Sequence, residues 1–491
     1  MLFNSWQYAV FLPLVLLLYW ALPRRYRWVL LLCASYYFYM SWNAKLVVLI
    51  ATTTLTSYVA ARGIAAAKSA RAKKTWLASA CGISLGMLFF FKYFNFFSHS
   101  VTALLRAVSL PVSDFTLRLM LPVGISFYTF QTLSYVVDVY RGTLLPEKHL
   151  GIYALYVSFF PQLVAGPIER AVNLLPQFRE EHHPDAGEWA WGLRMIVFGL
   201  FKKVVLADYL AQFVNLVYND VQGKTPMMYL LTTVMFTLQV YCDFSGYSDV
   251  ALGSARLLGF RLMENFNTPY FATSIRDFWG RWHISLSSFL RDYIYIPLGG
   301  SRRGAVRTCI NLLLTFLASG LWHGAMWTYV LWGCLHGVYQ ITGRLTEPGR
   351  ARLRGRLHID PAAHWYRAWQ MLFTFGLVCV ALVLFRANSL PDALLIFSRL
   401  PGAVIHPVQN LVGACGVLGI TAGAAVRILL SVGALFLYDV VRFRSGDPFL
   451  LLQQKKAPLR VLVSYGLALC VLLAAFTTPE GAAVEFIYFQ F

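Results

Sequence analysis

Arg276–Gly304 reads RDFWGRWHISLSSFLRDYIYIPLGGSRRG, and a few residues later Leu314–Gly337 reads LTFLASGLWHGAMWTYVLWGCLHG. The second segment is apolar enough to enter a bilayer, yet it carries His323 and His336. The first sets His283 beside Trp279, Arg281 and Trp282. A chain this apolar keeps imidazoles at membrane depth only where something uses them. The remaining residues therefore read as scaffold for this stretch, or as access to it.

Working outward, 58% of the residues are hydrophobic and 13% charged. With apolar runs of spanning length recurring along the chain, that composition excludes a water-soluble domain and predicts an all-α polytopic membrane protein. The first run, from Ser5 to Pro23, lacks a basic leader and a small-residue cleavage site, so it is expected to be a first span rather than a signal. The formal charge of +20 comes from Lys and Arg clustered in short loops, which the positive-inside rule explains without nucleic acid. The eight Cys stand singly in apolar surroundings, with neither C-x-x-C nor metal-ligand spacing, so no metal or disulfide frame is expected.

Spans are predicted near 8–22, 28–42, 46–61, 75–91, 119–137 and 152–166. Arg24, Arg25, Arg27 and the 68–74 basic run lie on the cytoplasmic side, which leaves the N-terminus outside. Ala-Gly-Pro (165–167) then breaks the chain before Glu169 and Arg170, and His182 and His183 read as solvated loop residues. In the 189–218 segment, Lys202 and Lys203 either snorkel to a headgroup layer or face a polar cavity. The span from Met227 runs into Asp243 and Asp249, and one of these acids is expected to pair with Arg256 or Arg261. Beyond the centre, 343–358 is a basic cytoplasmic loop. Spans follow near 369–385, 428–441 and 461–476, whereas the Gly- and Ala-rich run 411–425 is too weakly apolar to count as a full crossing. About eleven crossings are expected, plus re-entrant or interfacial helices. They would form one domain, 1–491, with core motifs in 161–337 and an outer-face tail, 477–491.

His323 is flanked by Gly320 and Gly324, which let a neighbouring helix approach closely. A neutral imidazole there can take the proton of a hydroxyl, as acyl transfer requires. A core histidine bonded to a backbone carbonyl is the equal alternative. His283 could donate to a developing oxyanion or orient the acyl group, although an interfacial helix rich in Trp, Arg and Tyr would look the same. His336 lies thirteen residues past His323, about 20 Å along a continuous helix, and so is expected to line or pack. Gly299, Gly300 and Gly304 among Arg302, Arg303 and Arg307 suit a phosphate-bearing donor arriving from the cytoplasm, and positive-inside bias explains them equally. No Walker, G-x-S-x-G, H-E-x-x-H or dinucleotide motif occurs.

With CDFSGYSDVALG (242–253) and QLVAGPIER (162–170), these motifs resemble the membrane-bound O-acyltransferase (MBOAT) family, in its bacterial alginate O-acetyltransferase branch. The resemblance covers nearly the whole chain. It implies a multi-helix bundle around a central tunnel, with the family's essential histidine at His323 and a second polar position at His283. Asp243, Asp249, Trp279, Arg281, Trp322 and His336 would line or support that tunnel. It further implies acetyl-CoA as donor substrate with no bound cofactor, and a bacterial inner-membrane location; span parity puts the C-terminal tail, like the N-terminus, on the outer face. The acetyl group would pass to an exported polysaccharide through a periplasmic or membrane-anchored SGNH-type acetyltransferase.

The tail FIYFQF (486–491) resembles the C-terminal motif of a small membrane peptide that accompanies the related D-alanyl transferases. That makes Tyr488 a candidate acyl relay, since a phenol is a better leaving group than serine. An aromatic interfacial anchor is the equal alternative. Other readings are a D-alanyl or lipid O-acyltransferase, and a transporter using intramembrane His, Asp and Arg as a pathway.

Overall fold

The computed structural model describes residues 1–110, 112–164, 166–477 and 486–487. Among the described residues, every regular element is helical. The chain forms two compact units: Met1–Ile196 with Val250–Met263, and Val197–Asp249 with Glu264–Phe491.

Seven helices are long and apolar enough to cross a membrane by length and composition: Ala44–Ala66, Ala70–Ala107, Pro226–Leu257, Ala305–His323, His364–Arg386, Ala422–Ser445 and Ala457–Phe476. Several runs expected to span are shorter or displaced. Trp6–Ala21 contains Pro13. The 119–137 run becomes helical only at Ile125, because Pro122 precedes and Gly124 adopts φ 75°. The weak 411–425 run is divided, with Pro407–Val417 ending before Gly419 (φ 70°) and Ala422–Ser445 starting from a Thr421 cap.

In the first unit, hydroxyls cap the helices: Ser5 accepts from the Tyr8 amide and Ser69 from Ala72. Gly63 lets the next helix close in, since a Cβ there would lie 2.4 Å from the Trp76 ring. Glu169 is fully buried. It accepts from the Met263 amide and from Asn173 Nδ2 (2.7 Å), tying the turn after Gly166 to the end of the second segment of this unit. His182 is not simply solvated, because its ring packs on Phe260 at 4.6 Å and its Nε2 lies 2.7 Å from the Gln177 carbonyl. His183 is exposed.

In the second unit, Phe201–Ala207 is a π-helical turn that carries Lys202 and Lys203 inward, a local rewinding often found at functional positions. Two seven-residue helices, Ile275–Arg281 and Ile284–Leu290, meet at Trp282 and His283. Ala305–His323 and Trp327–Arg356 form a helical hairpin, and His364–Arg386 packs on its second arm.

Candidate active site

His323 is the last residue of its helix. Gly324 is extended (φ −165°, ψ 156°), and after Met326 the chain returns as Trp327–Arg356. The paired glycines of GLWHG and GCLHG permit that return. A Cβ on Gly320 would lie 2.3 Å from the Tyr329 carbonyl oxygen, and one on Gly333 would lie 2.2 Å from that of Phe316. Both obstacles are backbone, so neither can swing aside.

The continuous helix expected from His323 to His336 is therefore absent. The two histidines instead line one cavity of about 10 Å³ with Phe278, Trp282, Trp332 and Phe385, space for about one water molecule. The His323 ring centre lies 4.9 Å from Trp332, 5.0 Å from Trp322 and 5.3 Å from Phe385. Trp332 also touches His336 at 4.8 Å. The indole N–H of Trp279 donates to His336 Nδ1 at 3.2 Å.

His283 approaches His323 from another element, outside the lining of that cavity. It caps Ile284–Leu290 in the left-handed region (φ 43°, ψ 54°), a conformation that a side chain with a Cβ adopts at a cost. That turn aims the ring inward, 6.4 Å from His323, 5.5 Å from Trp322 and 4.7 Å from Phe244. Its Nδ1 lies 3.1 Å from Asn265 Oδ1. Burial pushes its imidazole down to about 3, so the ring is neutral at ordinary pH. A neutral imidazole in these aromatic surroundings can take a proton from a hydroxyl and return it.

The lysines and acids pair differently from the expectation. Lys202 meets Asp249 and also donates to Ser245 Oγ at 2.9 Å, while Lys203 sits 2.7 Å from Asp243 and 2.9 Å from Asp208. All five charged groups are buried, so the lysines do not snorkel. The expected pairing with Arg256 or Arg261 does not form among the described residues. Arg256 and Arg261 both pair with Glu188, and Glu264 pairs with Arg442 at 2.7 Å. One turn of π-helix aims the lysines at acids that hydropathy cannot place.

Asp243 has a second partner, the Ile487 amide, which donates to its Oδ2 at 2.8 Å. Phe486 stacks on Tyr247 at 4.5 Å and lies 5.9 Å from Phe244, the ring that touches His283. Tyr488 itself lies outside the described residues.

A larger cavity, about 960 Å³, opens beside the second arm of the hairpin. Among its lining are Arg276, Tyr339, Arg344, Glu347, Arg350 and Phe373. Tyr339 links it to the histidines, because its ring is 5.8 Å from His336. Glu347 holds Arg350 at 2.9 Å. Arg302, Arg303 and Arg307 line neither cavity. They are exposed, the first two on the turn before Ala305–His323 and the third in its first turn. Arg281 is a local brace, bonded to Asp277 at 2.7 Å and to Thr268 at 3.2 Å.

Of the residues the sequence singled out, His323 and His336 line the small cavity, while Trp322 and His283 lie beside His323 and Trp279 beside His336. Asn265, Trp332, Phe385 and Arg344 were not singled out. Their signal is proximity between segments, and spacing does not carry it.

Residues 149–384 match the model of the membrane-bound O-acyltransferase family. The chain is 42% identical over 386 residues to the probable alginate O-acetylase AlgI of Azotobacter vinelandii, covering 78% of this chain and 74% of the relative. It is 35% identical over 399 residues to the peptidoglycan O-acetyltransferase of Helicobacter pylori, covering 76% and 73%. Similarity extends to the teichoic acid D-alanyltransferase of Bacillus subtilis at 26% over 279 residues, 53% of this chain and 68% of that one. With the histidine chamber set in a bundle of membrane-spanning helices, these matches make the chain a multi-pass O-acyltransferase belonging to the membrane-bound O-acyltransferase family.

Proposed function

We propose that the enzyme takes acetyl from acetyl-CoA at the cytoplasmic face of a bacterial inner membrane and delivers it outward. An SGNH-type acetyltransferase then uses it to O-acetylate an exported polysaccharide. The observation that carries the chemistry is the buried pair His323 and His283, 6.4 Å apart between ring centres. The relatives named alginate O-acetylase and peptidoglycan O-acetyltransferase support acetyl as the group and a carbohydrate polymer as its destination.

In this reading the nucleotide end of the donor rests in the larger cavity, its phosphates near Arg276, Arg344 and Arg350, while the thioester reaches past Tyr339 and His336. His323 removes the proton of an acceptor hydroxyl. The oxygen attacks the thioester carbon, the C–S bond breaks as the C–O bond forms, and the proton passes to the leaving thiolate. The anchoring of Ile487 on Asp243 supports the tail as the acceptor, with Tyr488 as the acylated residue. Both termini lie on the outer side.

The test is transfer of labelled acetyl from acetyl-CoA by purified protein in nanodiscs. His323→Ala should lower the rate by about 10² to 10⁴ without preventing insertion, and acetyl should appear on Tyr488 by mass spectrometry. Undiminished transfer by His323→Ala would overturn the assignment of the base. Full activity of Tyr488→Phe would remove only the relay. A D-alanyl transferase is the second reading, favoured by the weaker similarity to teichoic acid D-alanyltransferases. It predicts transfer from a D-alanyl carrier protein and none from acetyl-CoA.

A further inference from the structure

We infer that Asn265 is a positioning residue that locks His283 as its Nδ1–H tautomer, leaving the lone pair on Nε2. Asn265 is 1% exposed, and its side-chain oxygen is identified by what surrounds it. The backbone N–H of Ser285 donates to Oδ1 at 3.3 Å and the Ser285 hydroxyl donates at 2.8 Å. A backbone N–H has only a proton to offer, so the atom facing it must be the carbonyl oxygen of the amide and not its NH₂. The other end agrees, since Asn265 Nδ2 points to Ser248 Oγ at 3.4 Å.

With Oδ1 fixed as an acceptor, the 3.1 Å contact to His283 Nδ1 requires the proton to be on Nδ1. The backbone holds the pair in register. The Ile284 amide donates to the Asn265 carbonyl at 3.0 Å, and the Asn267 amide to that of Arg281 at 2.9 Å. The left-handed turn at His283 is thereby pinned on both sides. His336 is set the opposite way, because an indole N–H can only donate and its Nδ1 accepts from Trp279.

The consequence deepens the proposed function and rests on it. In the neutral resting state His283 accepts a hydrogen bond at Nε2 and cannot donate one from it. In place of the oxyanion donor suggested by its position, His283 becomes the acceptor that orients a hydroxyl or imidazole N–H beside His323.

The experiment uses full-length protein labelled with [¹⁵N]histidine in nanodiscs, with His283 identified as the signal lost in His283→Asn, a residue that tolerates the left-handed turn. The expected spectrum has a protonated Nδ1 and an unprotonated Nε2. Asn265→Asp keeps the acceptor and should keep that pattern. Asn265→Leu removes the acceptor and should move the proton toward Nε2, while kcat for acetyl transfer falls on the order of 10²-fold and KM for acetyl-CoA changes little. A wild-type His283 protonated on Nε2, or an unchanged pattern in Asn265→Leu, overturns the inference. The spectrum of the wild-type protein reads the tautomer whether or not acetyl transfer is found, so failure of the proposed function is separable from failure of the lock.

Discussion

Single buried residues set several properties that no hydropathy profile conveys. Burial pushes the Glu169 carboxyl up from 4.5 to about 7. The folded protein therefore keeps this proton where the unfolded chain has lost it, and stability falls as pH rises from about 4.5 to about 7, then levels off. The effect is on the order of 3 kcal/mol. Thermal unfolding at pH 5 and 7.5 should show it, and Glu169→Gln should flatten the difference. Lys203 is the counter-charge of both Asp208 and Asp243. Lys203→Met should destabilise the protein by about 3–5 kcal/mol, because two buried carboxylates lose their cation. Adding Asp243→Asn to Lys203→Met should recover part of the loss, as read by melting temperature. His323 was legible in advance through its glycine-flanked motif. The pairing of Lys203 with Asp243 was not, since Asp243 lies forty residues away on another helix.

At the scale of elements, the hairpin of Ala305–His323 and Trp327–Arg356 makes the site. Its arms approach so closely that Gly320 and Gly333 face backbone carbonyls of the opposite arm. Gly320→Ala and Gly333→Ala should each force the arms apart, with a lowered melting temperature and loss of acetyl transfer. Gly355→Ala, on the same second arm but facing open space away from the larger cavity, should leave both nearly unchanged. Helix propensity alone would make each Gly→Ala change stabilising, so unchanged or raised melting temperatures for Gly320→Ala and Gly333→Ala would show that the close crossing is not what these glycines serve. The repeated G-x-x-H-G pattern was readable as a close approach. Its geometry as a reversal at Gly324 was not, because an apolar sequence continues smoothly through the break and only packing shows where the helix ends.

For the molecule as a whole, the proposed donor route begins in the cavity lined by Arg276, Arg344 and Arg350. Replacing Arg344 and Arg350 by Ala should raise KM for acetyl-CoA about tenfold through lost charged hydrogen bonds, with kcat nearly unchanged. An unchanged KM in this variant, with a raised one after substitution of Arg302, Arg303 and Arg307, would move the donor to the exposed turn. Steady-state kinetics in nanodiscs distinguishes the two outcomes.

What the sequence by itself determined is the class: apolar runs of spanning length compel a helical membrane protein, and the motifs around His323 and His283 identify the family. Those features are local, and a linear chain displays them. Only the tertiary structure decided that His336 shares a chamber with His323, that Lys202 and Lys203 face aspartates, that Ile487 docks on Asp243, and that Asn265 orients His283. Most of these bring together residues on different elements, formed where backbones cross closely enough to bury polar groups, and burial then requires that those groups find one another.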